Sequence, residues 1–133
     1  ANDIVDVDPQ PLFQHLMREL APLPLAYVHV IEGATGGPRE VEGRPFDYAA
    51  MKADYRQAGG QGAWMVNNGY DGALARAAIE SGHADLVAFG KAFISMPDWT
   101  ERLRRNLPAV APERATLYGG GAHGYIDYPP LED

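Results

Sequence analysis

Several residue types and patterns that would narrow the function are absent from this sequence of 133 residues. It has no cysteine, which excludes a disulfide framework and a thiolate metal site. No apolar run approaches the roughly 18–20 residues that span a bilayer, and no signal-peptide pattern opens the chain. We therefore expect a soluble protein of the cytoplasm.

Positive charge is also scarce, with 11 Lys and Arg residues against 18 Asp and Glu and a formal net charge of −7. A chain this acidic is a poor partner for nucleic acid or for an anionic membrane surface. No group of His, Asp and Glu residues has metal-ligand spacing, so no metal is expected. Hydrophobic residues make up 46% of the chain, which is enough for a packed core.

Apolar periodicity and capping residues predict the helices. Asp8-Pro9 predicts the start of the first, because Asp is a good N-cap and proline suits the first helical position. The apolar residues that follow at helical spacing are Leu12, Phe13, Leu16, Met17 and Leu20. A second helix is predicted over Phe46–Tyr55, and a third begins after Asp71 and ends near Gly82. A fourth follows Asp98, which forms a D-x-x-E pattern with Glu101 that is typical of a capping box.

Three apolar runs predict strands: Leu25–Ile31, Ala63–Val66 and Asp85–Phe89. The first is almost continuously apolar, which is typical of a strand covered on both faces of a parallel sheet. A long polar loop, Glu32–Asp47, follows it. Gly- and Tyr-rich sequence without periodicity forms the tail.

Helices and strands therefore alternate along the chain, which indicates α/β architecture with βα units on a parallel sheet. Three parallel strands would leave two open edges and one poorly covered face. Because the chain also opens on a helix, we expect it to be part of a (β/α)8 barrel, whose usual length is about 250 residues.

Two of the predicted strands end at a glycine beside a polar side chain: Asn68-Gly69 and Gly90-Lys91. One βα unit separates them, so both are expected at the same rim of a barrel. Helix N-termini supply N–H donors there and glycine lets the backbone approach an oxyanion, which favours a phosphate. Glycine after a strand is also common without a ligand, and a lone lysine is usually a solvated surface residue. The spacing alone leaves both interpretations open.

Two longer motifs carry a specific resemblance: "ADLVAFGKAFISMPDWTERLR" over residues 84–104 and "YGGGAHGYIDYP" over residues 118–129. They resemble the C-terminal signature of the Old Yellow Enzyme family, the FMN-dependent ene-reductases. The resemblance extends back through "NNGYDGALARAAIESG" and "YVHVIEG" to the first helix. It covers essentially the whole chain and is weakest between Gly36 and Gly62.

The resemblance implies an eight-stranded β/α barrel with FMN at its C-terminal rim, of which this chain supplies about strands six to eight. Residues 1–24 would be the helix after strand five, residues 25–110 three βα units and residues 111–133 the C-terminal tail. A complementary N-terminal chain would complete the barrel, with the junction expected before Asp3.

The resemblance also assigns candidate site residues. The backbone at Asn68, Gly69 and Gly90 and the side chain of Lys91 would hold the FMN phosphate, and Tyr118 matches a tyrosine that lines the pocket above the flavin. The family usually has arginine at position 91. Lysine offers a point charge where arginine can bind bidentately, so a lower affinity for FMN is expected.

Other departures from the family pattern are Met96, Trp99 and His123, where Asn, Leu and Glu are more usual; we interpret them as changes of packing or surface. The family's substrate-anchoring His-His or His-Asn pair, its proton-donating Tyr and its Arg near flavin N1 lie on barrel segments that precede this chain. His15 and His29 have no partner at the required spacing and are interpreted as structural.

The implied function is that of an NAD(P)H-dependent ene-reductase, active only with the complementary chain. Hydride would pass from NADH or NADPH through FMN to an alkene activated by a carbonyl or nitro group. The competing interpretation is a non-catalytic half-barrel that binds FMN or another phosphate ligand, or that only self-associates.

Overall fold

The computed structural model describes residues 6–131, and the junction expected before Asp3 lies outside them. Helices and strands alternate as predicted as far as the third strand; two helices then follow one another, and the first of them, Lys91–Ser95, was not predicted. In chain order the elements are α1 (Pro9–Leu20), β1 (Tyr27–Ile31), α2 (Tyr48–Gln57), β2 (Ala63–Asn67), α3 (Gly72–Glu80), β3 (Leu86–Val87), α4 (Lys91–Ser95), α5 (Trp99–Arg104) and a 3-10 turn (Arg114–Thr116). The chain divides into two compact units, the first ending at Ala88 and the second beginning at Phe89.

The first unit contains a parallel sheet of three strands in the order β1-β2-β3, as predicted. Tyr27 pairs with Ala63 at one end of β1, and Ile31 pairs with Asn67 at the other. The third strand was predicted too long, because only Leu86–Val87 is extended and paired. The chain turns into α4 shortly afterwards, which ends the extended backbone.

Side chains of the sheet alternate between a covered and an uncovered face. On the covered face Val28, Trp64 and Val66 are buried, and they pack with residues from all three helices of the unit. The helical contributions include Met17 of α1, Met51 and Tyr55 of α2 and Ala78 of α3. The core of the first unit therefore lies between the sheet and one layer of helices.

The opposite face of the sheet is open, so the prediction that β1 is covered on both faces is wrong for the described chain. Tyr27 is 51% exposed, Ile31 is 47% exposed and Leu86 is 43% exposed. His29 is exposed on the same face of β1. The reason is that α1, α2 and α3 all contribute to the core on the other side.

Of the three predicted helix caps, one forms and two do not. The carboxylate of Asp71 accepts a 2.8 Å hydrogen bond from the N–H of Leu74 and caps α3, as predicted. Asp8 precedes α1 but makes no side-chain cap, although Pro9 opens the helix. Asp98 does not form the expected capping box. The predicted second helix begins two residues late, at Tyr48, because Asp47 caps it through Ala50.

In the second unit, Asp98 makes two other contacts instead. Its carboxylate accepts 2.9 Å from the side chain of Arg102 and 2.6 Å from the backbone N–H of Leu131. The hydroxyl of Ser95 donates a 2.6 Å hydrogen bond to the carbonyl of Val110. These bonds hold the tail against α4 and α5, which explains how a segment without periodicity has a defined course.

Among the helices of residues 6–131, none combines the length and the apolar composition needed to cross a membrane. The same residues contain no group of three or more His, Asp and Glu side chains arranged to hold a metal ion.

Candidate functional site

The loop that follows β2 has an unusual backbone. Asn68 has a φ of +91° and Gly69 a φ of +70°, so two consecutive residues adopt left-handed conformations. Glycine reaches this region without steric cost, whereas Asn68 requires support from its surroundings. The loop lies at the edge of the sheet where the parallel strands β2 and β3 have their carboxyl ends. This is the edge at which α/β proteins bind ligands.

Asn68 receives its support from its own side chain. The carboxamide nitrogen donates a 2.5 Å hydrogen bond to the carbonyl of Glu32 and a 2.9 Å hydrogen bond to the carbonyl of Ala34. Both acceptors follow β1, so the side chain of Asn68 ties two strand-end loops together. Because its N–H groups are used in this way, any contact of Asn68 with a phosphate has to come from its backbone.

In the second unit, Gly90 immediately precedes α4 and Lys91 is the first residue of that helix. The φ of Gly90 is −96°, which other residues also adopt. A Cβ added to Gly90 would have no atom within 4 Å, so its backbone faces open space. Lys91 is exposed. This arrangement leaves room for an anion beside the lysine, but α4 has only 5 residues, so its dipole adds little.

Lys91 and Tyr118 line one cavity of about 350 Å³ in the second unit, together with Ile94, Pro112 and Leu117. The ring of Tyr118 is 96% exposed, so it forms the rim of the cavity rather than part of the core. One cation, one aromatic ring and three apolar side chains thus surround a single space. That combination suits a ligand with an anionic group and a flat, largely apolar ring system.

The structure brings together two of the predicted site residues, Lys91 and Tyr118, at this cavity. Gly90 adjoins Lys91 in the chain, whereas Asn68 and Gly69 belong to the loop of the first unit. The assignment of these residues to a cofactor stays a prediction.

Comparison with known proteins shows which proteins the chain is similar to. It is 34% identical over 141 aligned positions to putative 12-oxophytodienoate reductase 12 of Oryza sativa subsp. japonica, an alignment that covers 98% of this chain and 33% of that protein. The old yellow enzyme from Trypanosoma cruzi superimposes with a TM-score of 0.82 at 33% identity, covering 96% of this chain and 32% of that one. Morphinone reductase in complex with tetrahydroNAD gives a TM-score of 0.79 at 32% identity, covering 97% and 32%.

The chain belongs to the Old Yellow Enzyme family. The resemblance read from its motifs is thereby confirmed. Its parallel α/β sheet corresponds to part of the barrel of these relatives, and the chain spans about a third of the length of the first curated relatives it matches. No family model matches the sequence.

The departures from the Old Yellow Enzyme family pattern in the second unit lie in two different environments. Met96 and Trp99 are buried, and the ring of Trp99 packs edge-on against Phe89 with centroids 5.6 Å apart. His123 is exposed in the tail, where its Nδ1 lies 2.9 Å from the carboxylate of Asp127. The first two residues therefore take part in packing and the third lies at the surface, which is consistent with that interpretation.

Sequence reasoning did not identify a buried polar cluster around Glu32, in the first unit. This residue follows β1 directly and is 1% exposed. Its carboxylate lies 2.6 Å from the hydroxyl of Tyr70, 3.2 Å from Nε of Arg39 and 2.6 Å from Nε2 of His83. One sequence signal could have suggested it, since an acidic residue directly after a buried strand points to a site at the strand end. Its partners carry no such signal.

Proposed function

We propose that this chain supplies the phosphate-binding part of the FMN site of an NAD(P)H-dependent ene-reductase. The observation that carries the proposal is the cavity shared by Lys91 and Tyr118 in a chain of the Old Yellow Enzyme family. The substrate would be an alkene activated by a carbonyl or nitro group. NADH or NADPH would be the reductant.

The residues present fit FMN by the chemistry of their donors. Lys91 offers an ammonium group for the phosphate, and the open space at Gly90 lets an oxygen approach the backbone beside it. Ammonium and backbone N–H groups are the usual phosphate ligands at strand ends of α/β proteins. In the first unit, the backbone N–H groups of Asn68 and Gly69 are further candidate donors to a phosphate. FMN, when bound, supplies the hydride carrier that amino-acid side chains lack.

The contribution of Tyr118 is to shape the pocket above the flavin. Its ring is exposed and borders the cavity together with Ile94 and Leu117. An aromatic ring in this position offers an apolar surface to a flat ligand and restricts how a substrate lies on it. The family's alkene-anchoring pair and proton donor lie on other segments of the barrel. This chain would therefore bind FMN and help to orient the substrate, and the proton would come from another segment of the barrel.

We also propose that the open sheet of the first unit is closed by the remaining strands of a (β/α)8 barrel, supplied by a complementary N-terminal chain. The uncovered face carries large apolar side chains, among them Tyr27, Ile31 and Leu86. Within residues 6–131 the sheet also ends at two edge strands, β1 and β3. Barrel closure removes both features at once, because it pairs the edges and fills the interior.

The test is to prepare residues 1–133 alone and together with a polypeptide that carries the N-terminal strands of the family barrel. We expect sedimentation to give a 1:1 complex, the complex to show flavin absorbance, and NAD(P)H-dependent alkene reduction to require both chains. A chain that reduces alkenes as a well-folded monomer would contradict the proposed partner. A colourless homo-oligomer that ignores the second polypeptide would instead support the non-catalytic half-barrel.

A further inference from the structure

The carboxylate of Glu32 is the most thoroughly buried charged group described in the first unit. One of its oxygens accepts a 2.6 Å hydrogen bond from Tyr70 and lies 3.2 Å from Nε of Arg39, and the other lies 2.6 Å from His83. A buried carboxylate is costly unless it is paired and hydrogen-bonded, and here it has three partners. Removal of any partner is therefore expected to disturb the others.

These partners come from three different loops. Arg39 lies between β1 and α2, Tyr70 lies between β2 and α3, and His83 lies between α3 and β3. One carboxylate thus joins three of the four connections that follow β1 in this unit. Burial, together with the hydrogen bond to Glu32 and its charge, raises the pKa of Tyr70 well above its usual range, which agrees with a phenol that donates and stays protonated.

Glu32 also contacts both sides of the left-handed turn after β2. Its backbone N–H donates a 3.2 Å hydrogen bond to the carbonyl of Asn67, and its carbonyl accepts from the side chain of Asn68. On the other side of Gly69, its carboxylate accepts from Tyr70. The turn between these anchors has positive φ at Asn68 and Gly69.

Arg39 completes the support of this turn. Its guanidinium lies over the ring of Tyr70, 4.4 Å from the centroid, while its aliphatic carbons would lie 3.6 Å from a Cβ placed on Gly69. The Nε contact with Glu32 orients the guanidinium in this position. The conformation of Asn68-Gly69 is therefore stabilised by the polar contacts among Glu32, Arg39 and Tyr70 rather than by apolar packing.

We propose that Glu32 is a positioning residue, which directs the backbone N–H groups of the Asn68-Gly69 turn toward a bound phosphate. The identity of the ligand rests on the proposed FMN site, whereas the positioning of the turn by Glu32 does not. Glu32 does not touch the phosphate; it acts through Tyr70, Arg39 and the backbone contacts of Asn68. A purely structural residue of the same burial would stabilise the unit as a whole without a specific effect on this turn.

The test uses Tyr70→Phe, which removes one donor to Glu32, and Glu32→Gln, which keeps the shape and removes the charge. The matched control is Tyr48→Phe, since the hydroxyl of Tyr48 accepts a 2.6 Å hydrogen bond from the N–H of Gly33 outside the carboxylate network. Amide hydrogen exchange is measured by mass spectrometry in the flavin-free protein, in the peptide that spans residues 67–72 and in β2. FMN affinity is measured separately by fluorescence titration.

We expect Tyr70→Phe and Glu32→Gln to speed exchange in residues 67–72 by about tenfold, as for the loss of one buried hydrogen bond, and to weaken FMN binding by a similar factor. Exchange in β2 should stay unchanged, and Tyr48→Phe should affect neither the turn nor FMN. Equal acceleration in the turn and in β2 would overturn the inference, as would unchanged exchange in the turn. If Glu32→Gln does not fold, Tyr70→Phe decides alone.

The two measurements separate this inference from the proposed function. Exchange in the flavin-free protein reports on the turn whether or not FMN is the ligand. If the wild-type complex binds no FMN, the proposed function fails, while the exchange result still supports or overturns the positioning by Glu32. If FMN binds but its affinity is the same in all variants, the inference is overturned and the proposed function stands.

Discussion

The carboxylate of Asp85 accepts a 2.7 Å hydrogen bond from the backbone N–H of Trp64, so a side chain before β3 takes a place in the hydrogen bonding of β2. The same oxygen also lies 2.7 Å from Arg56, and the other oxygen lies 3.8 Å from Lys52. The bond to Trp64 is the main cause that lowers the pKa of Asp85 below its ordinary 3.8, with further contributions from Lys52 and Arg56.

We expect Asp85→Ala to lower the free energy of unfolding by about 1–2 kcal/mol, because the N–H of Trp64 loses its acceptor. Asp54→Ala is the control; it removes a surface ion pair with Arg18 and should cost less than about 1 kcal/mol. Urea unfolding at neutral pH measures both. Because the pKa of Asp85 is lowered in the folded state, its contribution is present above pH 3.8 and is lost as the pH falls further. An Asp85→Ala variant no less stable than Asp54→Ala would contradict the assignment.

The uncovered face of the sheet gives a prediction about assembly. Ile31→Lys places a charge on that face, whereas Ile79→Lys makes the same change at a residue of similar exposure on α3. If the face meets other barrel strands, burying the lysine is costly and only Ile31→Lys abolishes the complex and its flavin content. Sedimentation with the complementary chain measures the difference. Equal assembly of the two variants would place the interface elsewhere.

Lys91 is predicted to contact the FMN phosphate. Lys91→Ala should weaken flavin binding by about 1–3 kcal/mol, which is the range for a lost charge-assisted hydrogen bond. Lys91→Arg should bind flavin at least as tightly as the wild-type protein, because a guanidinium can contact two phosphate oxygens. Arg105→Ala, an exposed cation of the same unit, is the control for net charge. Flavin fluorescence titration checks all three, and identical affinities would remove Lys91 from the site.

Tyr118 is predicted to line the substrate pocket. Tyr118→Phe and Tyr118→Ala should leave the melting temperature almost unchanged, because the ring is 96% exposed. They should alter kcat/KM by factors that differ between alkenes, since a pocket wall contacts each substrate differently. Steady-state kinetics on a series of unsaturated ketones and nitroalkenes measures this. A uniform change across the series, or none, would argue against a pocket position.

The tail contains a pH-sensitive cluster around His123. Its hydrogen bond to Asp127 and the charges of Asp127 and Glu113 raise the pKa of His123 above 6.5, and the same pairing lowers the pKa of Asp127 below 3.8. The stabilisation by His123 is therefore complete below pH 6.5 and is lost as the pH rises through the higher folded value. That of Asp127 is present above pH 3.8 and is lost on acidification.

We expect the tail to resist proteolysis best between about pH 4 and pH 6.5, since the contributions of both partners are fully present there. His123→Asn should remove the loss of protection on the alkaline side and leave cleavage elsewhere unchanged. Limited proteolysis across a pH series checks this. If the variant keeps the wild-type pH dependence, another group controls the tail.

The sequence predicted those features that depend on local signals. The cap at Asp71 was correct because a capping hydrogen bond reaches only three residues along the chain. Asp98 has the same signal, but competition from Arg102 and from the distant N–H of Leu131 decides its contacts. The order of elements up to β3 and the parallel sheet also followed from periodicity, whereas the length of β3 and the short helix α4 did not.

The candidate site divides in the same way. Lys91 and Tyr118 were found because they belong to two long motifs of the family, and the structure places them at one cavity. The cluster at Glu32 was not found, because its partners lie 7, 38 and 51 residues away in sequence. Contacts of that separation form only when β1, β2 and α3 have packed, so no local sequence pattern predicts them.

The turn at Asn68-Gly69 also has a consequence for the chemical ageing of the protein. An asparagine followed by glycine readily forms a cyclic imide with loss of ammonia, and water then opens the imide to aspartate or isoaspartate. The reaction requires the carboxamide of Asn68 to rotate toward the nitrogen of Gly69, and its two hydrogen bonds to Glu32 and Ala34 oppose that rotation. Isoaspartate at position 68 should therefore accumulate only in molecules whose turn has opened, and its amount would record how often that happens during storage.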